Sequence, residues 1–599
     1  MPSQNIFNLL IRLWNQFDFR RKKQFISLLA LIILTSFAEL ITIGAIFPFL
    51  GALMNPENIF KLPNLQWVFS LLNINNKDQI LLPLSLFFIT SAILACLLRL
   101  FQLKVSLHIS FAAGADIGFA IYKRALYQPY KIHLSRNSSE VIDGIATKTT
   151  AVTDGIIMSS LYIISSAILL GLLLFSLAFI APLETIVTFA IFGGFYALIT
   201  AITKKQQLAN SREIAKESTK VVKSLQEGLG GIREVLLNGT QEVYCNIYLE
   251  SDSLLRKAYA SSSFISASPR FIIEAVGIVA IAGIAVLFSQ FEGGISKAIP
   301  LIGSIALAAQ RMLPIMQLSY GGWSNIRRYQ YTLIDTLNLL EENFFGQHET
   351  FQVSKVSFVD SIQLKNISFK FNENGNQIIN NISLEIPKRS KIGIIGTTGS
   401  GKSTLLDIVM GLLTPSSGTL LVDGIVIDQS NTKAWQKRIS HVPQNIFLTD
   451  SSIEENIAFG VPKSLIDKEK VRAAASQAQL LETIEKLTDG MATVVGERGI
   501  KLSGGQKQRI GIARALYKDA DVIILDEATS ALDHKTEQKV MKAIDRLSPN
   551  VTVLIITHRI STLENCSKII ELENGVITNI FNYSEILKKY LMQKGLMVS

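Results

Sequence analysis

The sequence predicts a protein of two parts, an all-α membrane domain with six spanning helices and an α/β domain that follows it. Long apolar runs crowd the chain before residue 330, and later residues alternate short apolar runs with helical patterns. Only 18% of the 599 residues are charged, compared with about a quarter in soluble domains. We expect a cytosolic elbow segment at 1–24, the membrane domain at 25–335, a linker at 336–360 and the α/β domain at 361–599.

Six apolar runs predict the spans, because each is near or above the ~20 residues that a helix needs to cross about 30 Å of hydrocarbon. The runs are residues 25–53, 81–103, 155–181, 185–203, 271–291 and 298–320. Lys and Arg predict the orientation, since basic loops stay cytoplasmic. Residues 1–24, 104–153 and 204–263 carry five, six and nine of them, and the alternate loops carry three in all. Both termini are therefore expected in the cytosol, and the net charge of +10 reflects topology rather than a nucleic-acid partner.

Charges at three- and four-residue spacing predict that the spans continue as helices into the cytosol, for example over 211–228. On the opposite side, Leu65, Val68, Phe69 and Leu72 share one helical face. This pattern predicts either a short helix on the outer membrane surface or a loop helix packed on the domain itself.

The α/β part contains a phosphate-binding loop. The run G-T-T-G-S-G-K-S-T lies between the strand pattern K-I-G-I-I and the helical pattern L-L-D-I-V-M-G-L-L, which is the context such a loop requires. Its glycines let backbone N–H groups converge on phosphate oxygens, and the helix N-terminus adds a partial positive charge. Lys402 is expected at the β- and γ-phosphates and Ser403 at Mg²⁺. We assign ATP contacts to Gly396, Thr397, Thr398, Gly399, Ser400, Gly401, Lys402, Ser403 and Thr404.

Two acidic residues follow a second strand pattern, V-I-I-L at 522–525. Beside a phosphate loop, Asp526 is expected to hold Mg²⁺, directly or through water. Glu527 is placed to polarise the attacking water as the general base.

The run K-L-S-G-G-Q-K-Q-R at 501–509 resembles the signature of ATP-binding-cassette (ABC) proteins, and the resemblance covers about 361–580. It implies that Ser503, Gly504, Gly505 and Gln506 bind the nucleotide of the opposite cassette. The run G-E-R-G at 496–499 resembles the X-loop of exporters.

Other motifs follow in the family's order. Gln444 in H-V-P-Q-N resembles the Q-loop, which implies a catalytic and Mg²⁺-binding role. Asp533 in S-A-L-D resembles the D-loop, and His558 in I-I-T-H-R resembles the switch histidine. Phe371 in S-F-K-F aligns with the aromatic residue that stacks on adenine, with Phe369 as a weaker candidate.

One six-span domain and one cassette resemble an exporter-type half-transporter that works as a dimer. The intact motif set favours a homodimer over a heterodimer with a degenerate partner. The resemblance implies coupling helices near 130–140 and 234–247, ATP and Mg²⁺ as cofactors, and a place in the cytoplasmic (inner) membrane with the cassette in the cytosol.

Four charges, Glu39, Arg99, Glu274 and Arg311, interrupt the spans, and a fifth, Arg270, lies at the inner mouth of the fifth span. Intramembrane ions are costly and usually face a bundle interior or a cavity. The three arginines fall in the cytoplasmic half, so we hypothesise a basic collar for an anionic substrate group, since guanidinium suits phosphate. The alternative is that Arg270 pairs with Glu274 on one helix and that Arg99 reaches the interface.

Three apolar segments resemble bacterial flippases of lipid-linked oligosaccharides: F-A-E-L-I-T-I-G-A-I-F-P-F-L (37–50), S-A-S-P-R-F-I-I-E-A-V-G (266–277) and A-A-Q-R-M-L-P (308–314). The resemblance implies an amphiphilic, lipid-linked substrate with an anionic head, moved outward by alternating access. A drug or peptide exporter and an ATP-gated channel are the alternatives.

Overall fold

The computed structural model describes residues 5–54, 57, 80–180, 182–289, 294–342, 356–372, 375–547 and 550–593. Some side chains within the helices, among them 294–309 and Arg311, also lie outside the description. The chain forms two compact units. The first is Met1–Gln128 with Arg136–Phe345, and the second is Pro129–Ser135 with Gly346–Ser599.

All the secondary-structure elements among the described residues of the first unit are helices. Its elements are α1 (Ile6–Asn15), α2 (Phe19–Met54), α3 (Leu81–Tyr127), α5 (Ser138–Asp143), the π-helix Gly144–Lys148, α6 (Thr149–Val152), the π-helix Thr153–Met158, α7 (Ser159–Ile180), α8 (Pro182–Gly230), α9 (Ile232–Leu237), α10 (Gln241–Ser289), α11 (Gly294–Arg328) and α12 (Gln330–Glu341). The short helix α4 (Tyr130–Ser135) belongs to the second unit.

Six long helices, α2, α3, α7, α8, α10 and α11, contain most of each of the six predicted spans. Four stretches of the described residues are long and apolar enough to cross a membrane: Phe19–Leu53, Leu81–Tyr127, Ser138–Ser176 and Gln241–Val279. The fourth and sixth predicted spans lie in α8 and α11, where many side chains are outside the description. The fold class predicted from the sequence is confirmed.

The helices extend beyond the apolar runs, as their charge spacing predicted. Helix α8 continues to Gly230, and α9 and the start of α10 fall in the second expected coupling region. Helix α4 falls in the first expected coupling region, and its residues belong to the second compact unit. The surface helix predicted around Leu65–Leu72 lies outside the described residues.

A buried polar network joins helices of the first unit. Asp143 is fully buried and accepts hydrogen bonds from the hydroxyls of Ser218 and Thr219, each at 2.7 Å. Lys148 Nζ lies 2.6 Å from an Asp335 oxygen and 3.5 Å from Asp143. Since an unpaired buried charge is costly, these contacts fix how α5, α8 and α12 meet.

The second unit is an α/β domain. Its strands are β1 (Ser361–Phe369), β2 (Ile379–Pro387), β3 (Lys391–Ile395), β4 (Ser417–Val422), β5 (Ile425–Val426), β6 (Ile439–Val442), β7 (Val522–Asp526), β8 (Thr552–Ile556), β9 (Lys568–Glu573) and β10 (Val576–Phe581). Its helices, after α4, are α13 (Lys402–Val409), α14 (Thr432–Lys437), α15 (Ile453–Ile457), α16 (Lys468–Gln477), α17 (Leu481–Ile484), α18 (Gly504–Lys518), α19 (His534–Leu547) and α20 (Tyr583–Gln593).

Two sheets organise this domain. One is antiparallel in the order β2-β1-β4-β5, and the other runs β10-β9-β3-β8-β7-β6. In the second sheet β9, β3, β8, β7 and β6 are parallel, as the sequence predicted. Their residues are almost all buried, which is typical of a parallel strand covered on both faces. The carboxyl ends of these strands therefore meet along one edge.

Candidate active site

The phosphate loop joins the end of β3 to the start of α13, as predicted. Gly396 has φ of 153° and Gly401 has φ of 98°, which favour glycine. A Cβ on Gly396 would lie 2.2 Å from the Leu572 carbonyl oxygen, and one on Gly401 would lie 2.9 Å from Ile379 Cδ1. Close neighbours on both sides therefore require glycine, and the turn aims the N-terminus of α13 into the loop.

Lys402 and Ser400 give the loop its electrostatic character. Lys402 Nζ donates to the carbonyl oxygens of Gly396 and Thr397 at 2.8 Å each. Burial lowers the pKa of Lys402, and the carboxylates of Glu527 and Asp526 oppose that shift. Ser400 Oγ is buried and has no hydrogen-bond partner among the described residues. A cation beside an unsatisfied hydroxyl fits an anionic ligand rich in acceptor oxygens, as the phosphates of ATP are.

The two predicted carboxylates follow β7, between β6 and β8. Burial raises the pKa of Asp526, the neighbouring Glu527 raises it further, and Lys402 acts in the opposite direction. A bound divalent cation favours the ionised carboxylate. Asp526 is therefore a group whose charge a metal ion would stabilise.

The donors predicted for Mg²⁺ are the Ser403 hydroxyl, the Gln444 amide oxygen and the Asp526 carboxylate. All are hard oxygen ligands, which Mg²⁺ prefers. Among the described residues, no group of three or more His, Cys, Asp or Glu side chains could hold a metal by itself.

Glu527 is held from two sides by the other residues predicted to be catalytic. Gln444 Nε2 donates to Glu527 Oε2 at 2.9 Å, and His558 Nε2 lies 3.2 Å from Oε1. Glu527 itself has φ of 48°, and its N–H donates to the Ile556 carbonyl at 2.9 Å. The carboxylate is therefore oriented at the sheet edge by contacts within the cassette itself.

These residues meet because each follows a neighbouring parallel strand. The phosphate loop follows β3, His558 follows β8, Asp526 ends β7, and Gln444 follows β6. The order β3-β8-β7-β6 places all four carboxyl ends side by side. Ligands of open α/β sheets bind at this edge.

The signature residues begin α18 and are engaged in capping it. The Gln506 N–H donates to Ser503 Oγ at 3.3 Å, and the Ser503 N–H donates to Gln506 Oε1 at 2.7 Å. A Cβ on Gly505 would lie 3.2 Å from the Ala531 carbonyl oxygen. Gly504 also lies close to Ala531, so the signature glycines pack against the D-loop of their own cassette.

Asp533 ends the D-loop as the N-cap of α19, because its Oδ1 accepts a hydrogen bond from the Thr536 N–H at 2.9 Å. The bonds from Thr536 lower the pKa of Asp533. Of the two aromatic candidates for adenine, Phe369 is 1% exposed and belongs to the core. Phe371 is half-buried and contacts Phe369 edge-on, with ring centroids 5.0 Å apart. This leaves Phe371 as the ring available for stacking.

The intramembrane arginines whose side chains are described are both paired. Arg99 lies 3.5 Å from Glu39 across α3 and α2. Arg270 Nε donates to Glu274 Oε1 at 2.8 Å, four residues along α10. The side chain of Arg311 lies outside the description. Sequence reasoning weighed the second pair and missed the first, because nothing local in the sequence relates residues sixty positions apart.

The Arg270–Glu274 pair lines a cavity of about 190 Å³ in the first unit. Both side chains are about half exposed, so the charges face open space rather than packed protein. The cavity is lined by Tyr196, Arg270, Ile273, Glu274, Leu313, Pro314 and Gln317.

Sequence reasoning also missed Gln508 and Arg559, which hold the D-loop. Gln508 bonds Ser530 and Ala531, and Arg559 bonds the carbonyls of Ser530 and Leu532. The sequence does contain a signal for both residues, since Gln508 lies within the signature run and Arg559 directly follows the switch histidine.

Comparison with known proteins agrees with this geometry. The profile of the ABC transporter family matches residues 379–530. An ATP-dependent lipid A-core flippase of Chromohalobacter salexigens is 30% identical over 397 residues, which is 65% of this chain and 67% of that protein. The α-hemolysin translocation ATP-binding protein HlyB of Escherichia coli O157:H7 is 37% identical over 292 residues, or 48% of this chain and 40% of its own length.

A bacterial Atm1-family ABC exporter with ATP bound has a similar structure, with a TM-score of 0.78 at 20% identity. The similarity covers 96% of this chain and 99% of the exporter chain. At that identity the likeness establishes the fold.

Proposed function

This chain belongs to the ABC transporter family as a half-exporter whose cytosolic ATPase drives transport across a membrane, and we propose that it is a lipid flippase. In this proposal two identical copies move an amphiphile, a lipid-linked oligosaccharide or a glycolipid, from the cytoplasmic to the outer leaflet of the inner membrane. The observation that carries the substrate class is the charged cavity at Arg270 and Glu274. The name of the lipid A-core flippase relative supports it.

In the proposed hydrolysis step, Glu527 orients and polarises the attacking water. Gln444 and His558 hold its two carboxylate oxygens at 2.9 and 3.2 Å, so little reorganisation is needed when the water reacts. His558 also contacts the γ-phosphate, and Lys402 exchanges its bonds to two loop carbonyls for phosphate oxygens. Ser403, Gln444 and Asp526 would hold Mg²⁺, which when bound would supply positive charge beside the phosphates.

The proposed dimer completes each site. Phe371 and the phosphate loop bind ATP from one cassette, and Ser503–Gln506 of the second copy close over it from the start of α18. A capped helix N-terminus with two glycines is a good anion-binding end. ATP then joins the two cassettes, and its hydrolysis releases them.

An exposed apolar strip in the first unit offers a contact surface that the proposed second copy would cover, in the region expected to hold a coupling helix. It lies on α9 and the first turns of α10, in the segment that the charge pattern places in the cytosol. Apolar patches of this kind on a cytosolic surface commonly mark protein contacts. The strip consists of Ile232, Leu236, Leu237, Val243 and Ile247.

The cavity suits an anionic head group in contact with lipid. Charges within spans cost at least ~2.5–3.5 kcal/mol on insertion scales and are kept where function needs them. Arg270 offers a planar pair of donors for phosphate or pyrophosphate, and Tyr196 and Gln317 add polar groups to the same lining. The proposed collar also includes Arg99 and Arg311.

The test separates a substrate role of Arg270 from a structural one. Three variants are reconstituted in proteoliposomes: Arg270→Gln, Glu274→Gln and the double variant. We expect Glu274→Gln to lower the KM of an anionic lipid-linked substrate about two- to fivefold, because the carboxylate no longer competes for the guanidinium. Arg270→Gln and the double variant should lose substrate-stimulated ATPase and ATP-dependent movement of the labelled lipid.

The basal ATPase activity and the folding of each of these variants are measured as the control for structural damage. A purely structural pair predicts that each single variant is unstable and that the double variant regains transport, because no unpaired charge remains. That outcome would contradict the proposed head-group contact. Glu527→Gln serves as the inactive reference in every assay.

Export of a polypeptide is the second candidate, because HlyB is among the relatives. That match covers 48% of this chain, whereas the lipid A-core flippase match covers 65%. ATPase stimulation by peptides but not by anionic lipids would favour this candidate.

A further inference from the structure

The D-loop, Ser530–Asp533, is bonded to the signature helix α18 through one buried side chain. Gln508 is 4% exposed. Its amide Nε2 donates to Ser530 Oγ at 2.9 Å, and its Oε1 accepts from the Ala531 N–H at 2.9 Å. Because both ends of the amide are used, any movement of α18 is carried to the D-loop.

On its other side the D-loop is bonded to the residue after the switch histidine. Arg559 Nη2 donates to the Ser530 carbonyl at 3.0 Å, and Nη1 donates to the Leu532 carbonyl at 3.4 Å. A guanidinium holds its donors in a rigid planar fork, whereas an ammonium presents them from one nitrogen on a flexible stem. The position of the D-loop and that of the His558 loop are therefore linked.

A buried carboxylate fixes the direction of Arg559. Glu537 is 3% exposed and lies 2.7 Å from Arg559 Nη1. Its other oxygen accepts bonds from the hydroxyls of Thr529 at 2.8 Å and Thr562 at 3.2 Å. With its acceptors satisfied, Glu537 has a single low-energy position, and Arg559 is aimed at the D-loop.

The D-loop also connects directly to the proposed general base. The Ser530 N–H donates to the Glu527 carbonyl at 3.1 Å. Hydrogen bonds thus connect α18 through Gln508 and Ser530 to Glu527. Hydrogen bonds also connect the D-loop to Arg559, the next residue in the chain after His558.

We propose that Gln508 and Arg559 are positioning residues that clamp the D-loop between the signature helix and the Glu527–His558 pair. When Ser503–Gln506 close on the ATP of the second copy, this clamp sets the hydrolysis geometry in the same cassette. The two ATP sites of the dimer are thereby coupled. The inference rests on the proposed dimer and on the proposed roles of Glu527 and His558.

Arg559→Lys and Gln508→Leu test the clamp in the reconstituted full-length protein. Lysine keeps the charge beside Glu537 but has a single donor nitrogen, so it lacks the planar fork that reaches the Ser530 and Leu532 carbonyls from two nitrogens. Leucine keeps the volume of Gln508 without its bonds. We expect a wild-type Hill coefficient above 1 for ATP hydrolysis, a fall toward 1 in both variants, and a roughly tenfold lower kcat. The KM for ATP should change less than about threefold.

Arg438→Lys is the matched control. Arg438 also bridges a carbonyl and a carboxylate, with Nε 2.7 Å from the Val356 oxygen and Nη1 2.6 Å from Asp521, but it does not contact the D-loop. It should match Arg559→Lys in loss of thermal stability while keeping the wild-type Hill coefficient.

The outcomes distinguish the clamp from the proposed function. A wild-type Hill coefficient of 1, or an Arg559→Lys variant that behaves as Arg438→Lys does, overturns the clamp alone. ATP hydrolysis that persists in Glu527→Gln overturns the proposed function itself. Loss of cooperativity in Arg559→Lys and Gln508→Leu, with Glu527→Gln inactive, supports both.

Discussion

Gln444 and His558 hold the Glu527 carboxylate from two sides, and the loss of each contact should change kcat by a predictable amount. Gln444 Nε2 lies 2.9 Å from one Glu527 oxygen and His558 Nε2 lies 3.2 Å from the other. A hydrogen bond to a charged group contributes about 1.5–3 kcal/mol. Because Gln444 is exposed and His558 is 54% exposed, the lower end applies. Gln444→Ala is therefore expected to lower kcat about tenfold, with little change in the KM for ATP.

His558→Ala should cost more, about a hundredfold in kcat. It removes the proposed direct contact with the γ-phosphate as well as the bond to Glu527, whereas Gln444→Ala leaves Ser403 and Asp526 to hold Mg²⁺. The Gln444→Ala/His558→Ala double variant should be little less active than His558→Ala alone. Both substitutions act by disturbing the same Glu527 carboxylate, and the first substitution already disrupts its orientation. The expected interaction energy is about 1–1.5 kcal/mol.

Steady-state and single-turnover ATPase of the reconstituted protein measure these effects, because single turnovers isolate the chemical step. Gln363→Ala is the control, since Gln363 lies on β1 and its amide bonds Ser361 and Glu385, neither of which is assigned to hydrolysis. Full additivity of the two substitutions would refute the shared role of Gln444 and His558 in orienting Glu527. A raised KM with unchanged kcat would refute it equally.

Two further substitutions test the nucleotide loop and its helix. Gly396→Ala should abolish binding of a fluorescent ATP analogue, because its Cβ would lie 2.2 Å from the Leu572 carbonyl oxygen; unchanged binding would contradict this packing. Burial and the nearby Asp526 raise the pKa of Asp407 to about 6, so ionisation opposes folding and stability falls as pH rises from about 4 to 6. Asp407→Asn should therefore stabilise the protein at pH 7 by about 1 kcal/mol, after discounting for partial exposure, and not at pH 4; melting curves showing equal shifts at both pH values would contradict it.

The residues of the ATP site could be predicted because each belongs to a short motif with its own local structure. Lys402 stands at the start of a helix after a strand, and Asp526 ends a strand, so local pattern placed both. Once the parallel sheet is formed, the carboxyl ends of its strands must share an edge. The order of the motifs along the sequence was therefore enough to predict which residues form the ATP site.

Contacts between motifs could not be predicted in the same way. Gln444 and Glu527 are 83 residues apart, and Gln508 and Ser530 are 22 apart. Their bonds depend on strand order β8-β7-β6 and on the packing of α18 against the D-loop. No local periodicity predicts contacts between residues so far apart in the chain. The residues could therefore be identified from the sequence, but their hydrogen-bond partners could not.

Pairing with carboxylates changes the charge that the intramembrane arginines present to a substrate. Counted along the sequence, Arg99, Arg270 and Arg311 predict a strongly positive collar. Pairing of Arg99 with Glu39 and of Arg270 with Glu274 removes most of that charge and lowers the cost of keeping the arginines within spans. An anionic head group must then displace a carboxylate to reach the guanidinium, which weakens its binding. A flippase has to release its cargo in every cycle, so such competition favours turnover over tight binding, and Glu274→Gln should tighten substrate binding while slowing release.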